Sequence, residues 1–180
     1  MKTLYINCCV RKDSRTNLLA LRVLNHLGEP FEELKIREMG LKPIDEETIR
    51  LRDENVEKVS ALAKQFAEAD RIVIAAPYYD SSFPSLLKLY LENIYVIGVV
   101  SAYDEQGNPI GLCKGQELIY VTTAGGPFEP DYSYDYVAAL AKKYFGIKKT
   151  TLVAASMLDV VGFDPQEQID KAFANYLAKK

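Results

Sequence analysis

Short apolar strands alternate with amphipathic helices along the whole of this sequence, and that alternation narrows the possible folds more than any single motif. Arg71–Ala76 is a continuous apolar run after its first residue. Such a strand needs cover on both faces, which a parallel sheet flanked by helices provides. Thr3–Cys8, Glu117–Thr122 and roughly Thr151–Ser156 also read as short β-rich strands. In Phe31–Ile36, Leu34 and Ile36 alternate with charges, as expected nearer a sheet edge. Between the strands, apolar residues recur at i, i+3, i+4 and i+7, the signature of a helix with one buried face. The sets are Ala20, Val23, Leu24 and Leu27; Val59, Leu62, Ala63 and Phe66; Leu87, Tyr90, Leu91 and Ile94; Val137, Leu140, Ala141 and Tyr144; and Ile169, Ala172, Phe173 and Tyr176. Gly28 and Gly146 close the first and fourth. Asp164-Pro165 opens the fifth, with Asp164 as cap and Glu167 completing a capping box.

Five strand–helix pairs predict an α/β three-layer sandwich with a five-stranded parallel sheet, and the flavodoxin-like order 2-1-3-4-5 is the first choice. Residues 37–51 read as irregular, broken by Gly40 and Pro43, and Tyr103–Pro109 as a projecting loop or hairpin. At 180 residues the chain is expected to form one domain. A formal net charge of −3 without a Lys/Arg stripe argues against nucleic acid as main partner. Apolar runs far shorter than a membrane span point to a cytoplasmic protein with no membrane partner. The odd set Cys8, Cys9 and Cys113 fits a reducing compartment and makes no disulfide framework. His26, the only histidine, falls within a predicted helix. Neither a zinc site nor a Ser-His-Asp triad is easily built from this inventory.

In that strand order the loops after the first, third and fourth strands face one crevice, where open α/β sheets bind ligands. The first loop, Cys8 to Asn17, leads into a helix start whose free amides favour an anion. Ser14, Thr16 and Asn17, with charge from Arg11, Lys12 or Arg15, would complete a phosphate cradle; simple N-capping by Ser14 or Thr16 is the plainer reading. The second loop, Pro77-Tyr78-Tyr79-Asp80-Ser81, offers two flat aromatic faces with polar tips. The third, Thr123-Ala124-Gly125-Gly126, lets backbone approach a flat ligand closely. Together they describe a mononucleotide pocket, and flavin mononucleotide fits best.

The same residues resemble the FMN-dependent NAD(P)H azoreductase and quinone reductase family. The likeness rests on Ser14-Arg15-Thr16-Asn17, on Pro77-Tyr78-Tyr79-Asp80 before Pro84-Ser85-Leu86-Leu87-Lys88, on Tyr103 through Gly107 to Gly111-Leu112-Cys113-Lys114-Gly115, and on Thr122–Gly126. These motifs cover about the first seventy per cent of the chain. The resemblance implies a flavodoxin-like homodimer holding FMN near the partner subunit. Ser14, Thr16 and Asn17 would hold the phosphate, Pro77–Ser81 would line the ring, and Thr123–Gly126 would bind its other edge. NADH or NADPH would reduce the flavin and a quinone or azo compound would take two electrons, by turns at one site. No protein nucleophile is implied, since the cofactor carries the chemistry. Two departures stand out: Asp80 where the family commonly has Asn, and Ala102 where it has an aromatic.

Two rival readings arise from the same residues. Cys9 to Thr16 also satisfies C-x5-R-[S/T], the phosphate loop of low-molecular-weight tyrosine phosphatases, with Cys9 as nucleophile, Arg15 beside it and Asp164 as late acid. Asp13 in that loop and its lack of glycine oppose the match. The other rival is a non-enzymatic FMN electron carrier.

Overall fold

A computed structural model describes residues 1–54 and 61–179. In chain order the elements are β1 (Thr3–Asn7), α1 (Arg15–Leu27), β2 (Phe31–Lys35), a 3₁₀ turn (Ile36–Glu38), α2 (Glu46–Glu54), α3 (Ala61–Glu68), β3 (Arg71–Ala75), α4 (Ser85–Ile94), β4 (Ser101–Tyr103), β5 (Pro109–Gly111), β6 (Glu117–Thr123), α5 (Tyr134–Leu140) running into a π turn (Ala141–Phe145), β7 (Lys149–Ala155) and α6 (Pro165–Ala178). The main sheet has the order β2-β1-β3-β6-β7, every pair parallel. With β4 and β5 set aside as a separate hairpin, this is the expected 2-1-3-4-5.

Side chains alternate across the sheet, so each strand feeds two cores. Leu4, Ile6, Ile72, Ile74, Leu118 and Tyr120 face one core, closed by Phe66 of α3, Leu87 and Tyr90 of α4 and Phe145 of the π turn. Tyr5, Val73, Ala75, Ile119 and Val121 face the other, closed by Leu19, Val23 and Leu24 of α1 and by Ile169, Ala172 and Tyr176 of α6. Ile72, Val73 and Ile74 are fully buried, each worth roughly 1.5–3 kcal/mol. The edge strand β2 is mostly exposed, as its alternating charges predict.

Some expectations need correction. Residues 37–51 are not wholly irregular: a 3₁₀ turn and the start of α2 fall within them. Local charge and two breakers hid a helix that carries little apolar face. Val59 lies outside the described residues. β7 begins two residues earlier than expected, at Lys149, because pairing with Glu117 extends it past the apolar stretch. Asp164 caps α6 by accepting from the Gln166 amide at 2.8 Å, but Glu167 pairs forward with Lys171 at 2.8 Å instead of back toward the cap.

The predicted projection after Tyr103 is the β4–β5 hairpin, its turn held by Asp104, which accepts from the amides of Gln106 and Asn108 at 3.0 and 2.7 Å. β5 lies directly on the π turn. A methyl group at Gly111 would stand 2.0 Å from the Gly146 nitrogen and 2.3 Å from the Phe145 carbonyl carbon. Only a residue without Cβ permits this backbone-on-backbone contact.

At the amino ends of the strands Glu117, 5% exposed, accepts from Arg71 Nε at 3.3 Å, Lys149 Nζ at 3.0 Å and Thr151 Oγ1 at 3.1 Å. Burial alone would raise the Glu117 pKa; Lys149, Thr151 and Arg71 outweigh it and hold the carboxyl below its ordinary value. A lowered folded-state pKa contributes stability above the unfolded glutamate pKa, and that contribution is lost as pH falls through the folded value. Glu117→Gln is therefore expected to cost about 2 kcal/mol at neutral pH. Urea unfolding across pH should show the difference from wild type shrinking as the solution becomes acid; a constant difference would deny the carboxylate its role.

Candidate functional site

Backbone pairing continues past the carboxyl ends of the central strands. The amides of Cys8, Ala76, Tyr78 and Ala124 donate to Ala75, Val121, Thr123 and Ala155 at 2.9, 3.0, 3.1 and 2.9 Å. The loops after β1, β3 and β6 are thus held side by side, and a crevice of about 290 Å³ opens between them. Of the residues expected there, it brings together Arg11, Ser14, Thr16, Pro77, Tyr78, Tyr79, Thr123, Ala124 and Gly125.

Ser14 is the N-cap of α1, its Oγ accepting from the Asn17 amide at 3.3 Å. Capping and ligand binding are compatible, because a hydroxyl has a second lone pair and a proton to give. Thr16, 1% exposed, lies with its Oγ1 2.6 Å from Thr123 Oγ1 and ties the first loop to the end of β6. Asn17 departs from expectation. Its Oδ1 accepts from Tyr5 Oη at 2.6 Å and Asn7 Nδ2 at 3.1 Å, which turns the side chain toward β2 and into a neighbouring pocket. Asn17 Oδ1 therefore serves a buried polar network on that side.

The aromatic loop contains a tight turn. Tyr79 and Ser82 exchange both backbone hydrogen bonds at 2.8 Å, with Asp80 at φ 49° and Ser81 at φ 64° between them. Positive φ at both central residues defines a type I′ turn, which short side chains able to bond locally tolerate best. Asp80 and Ser81 consequently stand exposed at the turn tip and do not line the crevice. The turn is fastened to the segment after β6: Tyr78 packs edge-on against Phe128 at 4.9 Å, Ser82 Oγ donates to the Tyr132 carbonyl at 2.6 Å, and Phe83 meets Tyr136 at 5.6 Å.

The crevice also contains residues the sequence did not single out, Leu158 and Asp159, from the loop after β7. Met157, Leu158 and Asp159 donate their amides to the carbonyls of Gly126, Ala124 and Gly125 at 2.9, 3.2 and 2.9 Å. Arg15 Nη1 then reaches across to Asp159 Oδ1 at 2.7 Å and the Leu158 carbonyl at 3.3 Å. The strand order was the available signal: the strand beside β6 must send its loop past the glycine turn. It also changes the reason for Gly125, since a Cβ there would lie 2.5 Å from Asp159 Oδ2. Gly125 makes room for a carboxylate of the chain itself. Gly126 faces open space and is not part of the lining.

Phosphatase chemistry finds no support in this geometry. Cys9 is 3% exposed, and burial pushes its thiol up to about 11 despite the lowering contacts of Ser14 and Arg37. A nucleophilic thiolate needs the opposite shift. Cys9 lines the pocket on the β2 side, whereas Arg15 lines the crevice and is already paired. Asp164 is occupied as a helix cap. His26 is exposed beside Phe173 and Tyr176. Among the described residues there is no cluster suited to a metal ion and no helix long and apolar enough to cross a membrane.

Known proteins share this fold. A family model described as a flavodoxin-like fold matches residues 1–179. The FMN-dependent NADH:quinone oxidoreductase 2 of Clostridium acetobutylicum is 37% identical over 144 residues, covering 73% of this chain and 70% of that protein. The FMN-dependent NADH:quinone oxidoreductase of Coprothermobacter proteolyticus is 30% identical over an alignment of 200 positions, covering 99% and 98%. Among solved structures, the FMN-dependent NADH-azoreductase of Bacillus anthracis in complex with FMN superposes with a TM-score of 0.81 at 24% identity, over 99% of this chain and 96% of that one. Agreement in sequence along nearly the full length means that the chain belongs to the flavodoxin-like family of FMN-dependent NADH:quinone oxidoreductases.

Proposed function

We propose that the chain is an FMN-dependent oxidoreductase that takes hydride from NADH or NADPH and passes two electrons to a quinone or azo acceptor, the two substrates using one site in turn. One observation carries this reading: a capped helix start, an aromatic loop and a glycine turn line the same crevice, within a chain whose relatives are named for that activity. Bound flavin supplies the redox chemistry, and the protein supplies binding and orientation.

The residues fit such a group. Amides at the start of α1, with the Ser14 and Thr16 hydroxyls, suit a phosphate. Tyr79, 38% exposed at the crevice, suits a ring face. The carbonyls of Ala124, Gly125 and Gly126 are taken by the loop after β7, whereas the amide of Gly125, which lines the crevice, meets no acceptor among the described residues. That amide suits a ligand acceptor. Arg11 and Arg15 bring positive charge, balanced by Asp13 and Asp159. At about 290 Å³ the crevice sits at the small end for such ligands, which typically need roughly 300–1,000 Å³. In this reading a second copy of the chain closes the crevice, as a homodimer.

An absorption spectrum tests the proposal. Protein incubated with FMN and desalted should retain flavin absorbance that bleaches on anaerobic addition of NADH or NADPH. Initial rates with varied donor and quinone should give parallel double-reciprocal lines. Retained flavin that fails to bleach would favour a carrier, and no retained flavin would discard the proposal.

A further inference from the structure

Beside the crevice, on the far side of the first loop, lies a second pocket of about 380 Å³. It is lined by Arg11, Lys12, Lys35 and Arg37, with the buried Asn7 and the exposed Glu33 among them. Asn7 is 8% exposed and fully engaged, donating to Glu33 Oε1 at 2.8 Å and to Asn17 and accepting from the Cys9 amide. Arg37 is fixed by the Val10 carbonyl at 3.1 Å and by Glu38 at 3.2 Å. Arg11, Lys12 and Lys35 meet no carboxylate among the described residues. Four cations against the single carboxylate of Glu33 line this one concavity, a local positive excess in a chain of formal net charge −3. Like charges gathered in this way repel one another unless an anion joins them.

We infer that this pocket binds the diphosphate and adenosine half of the nicotinamide nucleotide while the nicotinamide enters the crevice; the inference rests on the oxidoreductase reading above. Arg11 lines both cavities, which therefore lie on either side of the first loop. Within the crevice the charges of Arg11 and Arg15 are offset by Asp13 and Asp159, which leaves no net attraction there for a second phosphate-bearing molecule. The neighbouring pocket has that attraction and room to exercise it. Its role is affinity for the donor, with no part in hydride transfer.

The test compares NADH with reduced nicotinamide mononucleotide, which carries the same nicotinamide but lacks the adenylate half, on FMN-loaded enzyme. Wild type should use NADH with kcat/KM about a hundredfold higher than the mononucleotide, the worth of a well-held anionic anchor. Lys35→Glu should raise KM for NADH about tenfold and leave kcat, flavin content and mononucleotide kinetics unchanged. Lys35→Gln should be intermediate, and Lys35→Arg should restore the wild-type KM. An unchanged NADH KM in both Lys35→Glu and Lys35→Gln would overturn the inference, as would an equal rise for both donors. Failure of both donors to bleach bound FMN in wild type would instead reject the oxidoreductase reading, and this inference with it.

Discussion

Gly111→Ala is expected to lower stability by about 3 kcal/mol or more, the range of severe overpacking against rigid structure. The added methyl would lie 2.0 Å from the Gly146 nitrogen, and no rotamer change relieves a clash between two backbones. Either the hairpin lifts off or the π turn rewinds. The same contact places the Cys113 amide 3.2 Å from the Phe145 carbonyl and the Leu112 amide 3.0 Å from the Val100 carbonyl. Those amides should lose hydrogen-exchange protection before the sheet does. Urea unfolding read by circular dichroism supplies the global figure; an alanine variant with an unshifted midpoint would show that the hairpin carries no stability.

Ser14→Asp should have the larger functional effect. Aspartate caps helices about as well as serine and favours the positive end of the helix dipole, so the fold should be kept. It would also put a fixed negative charge where the start of α1 would meet a phosphate. Two like charges about 4 Å apart near a protein surface repel by roughly 4 kcal/mol, enough to weaken FMN at least a hundredfold even after partial screening. Riboflavin, which lacks the phosphate, should bind the variant as well as wild type. Flavin fluorescence titration with both ligands separates the outcomes: equal losses would mean general damage to the crevice, and no loss for FMN would move the phosphate away from α1.

Much of this architecture could be read from periodicity. Ile72, Val73 and Ile74 are apolar without alternation because two cores need them, and that requirement leads to a parallel sheet and then to a crevice above its centre. What escaped notice depends on contacts made late in the chain. Nothing local marks Asp159 as a neighbour of Gly125 and Arg15, since only the packing of β7 beside β6 brings them together. The type I′ turn at Asp80 and Ser81 was hidden too, because positive φ values are not written in composition. The hydrogen bond from Tyr5 to Asn17 was likewise not legible, because it exists only once β1 and α1 are docked.

The loop after β7 gives the crevice a place in time as well as in space. A ribosome delivers the first, second and third walls before the amides of Met157, Leu158 and Asp159 that clasp the glycine turn. A nascent chain that has reached α5 already possesses the phosphate-suited helix start and the aromatic turn, yet its glycine loop is still unclasped. The glycine wall of the crevice is therefore the last to be held in place, because its fastening waits on the segment after β7.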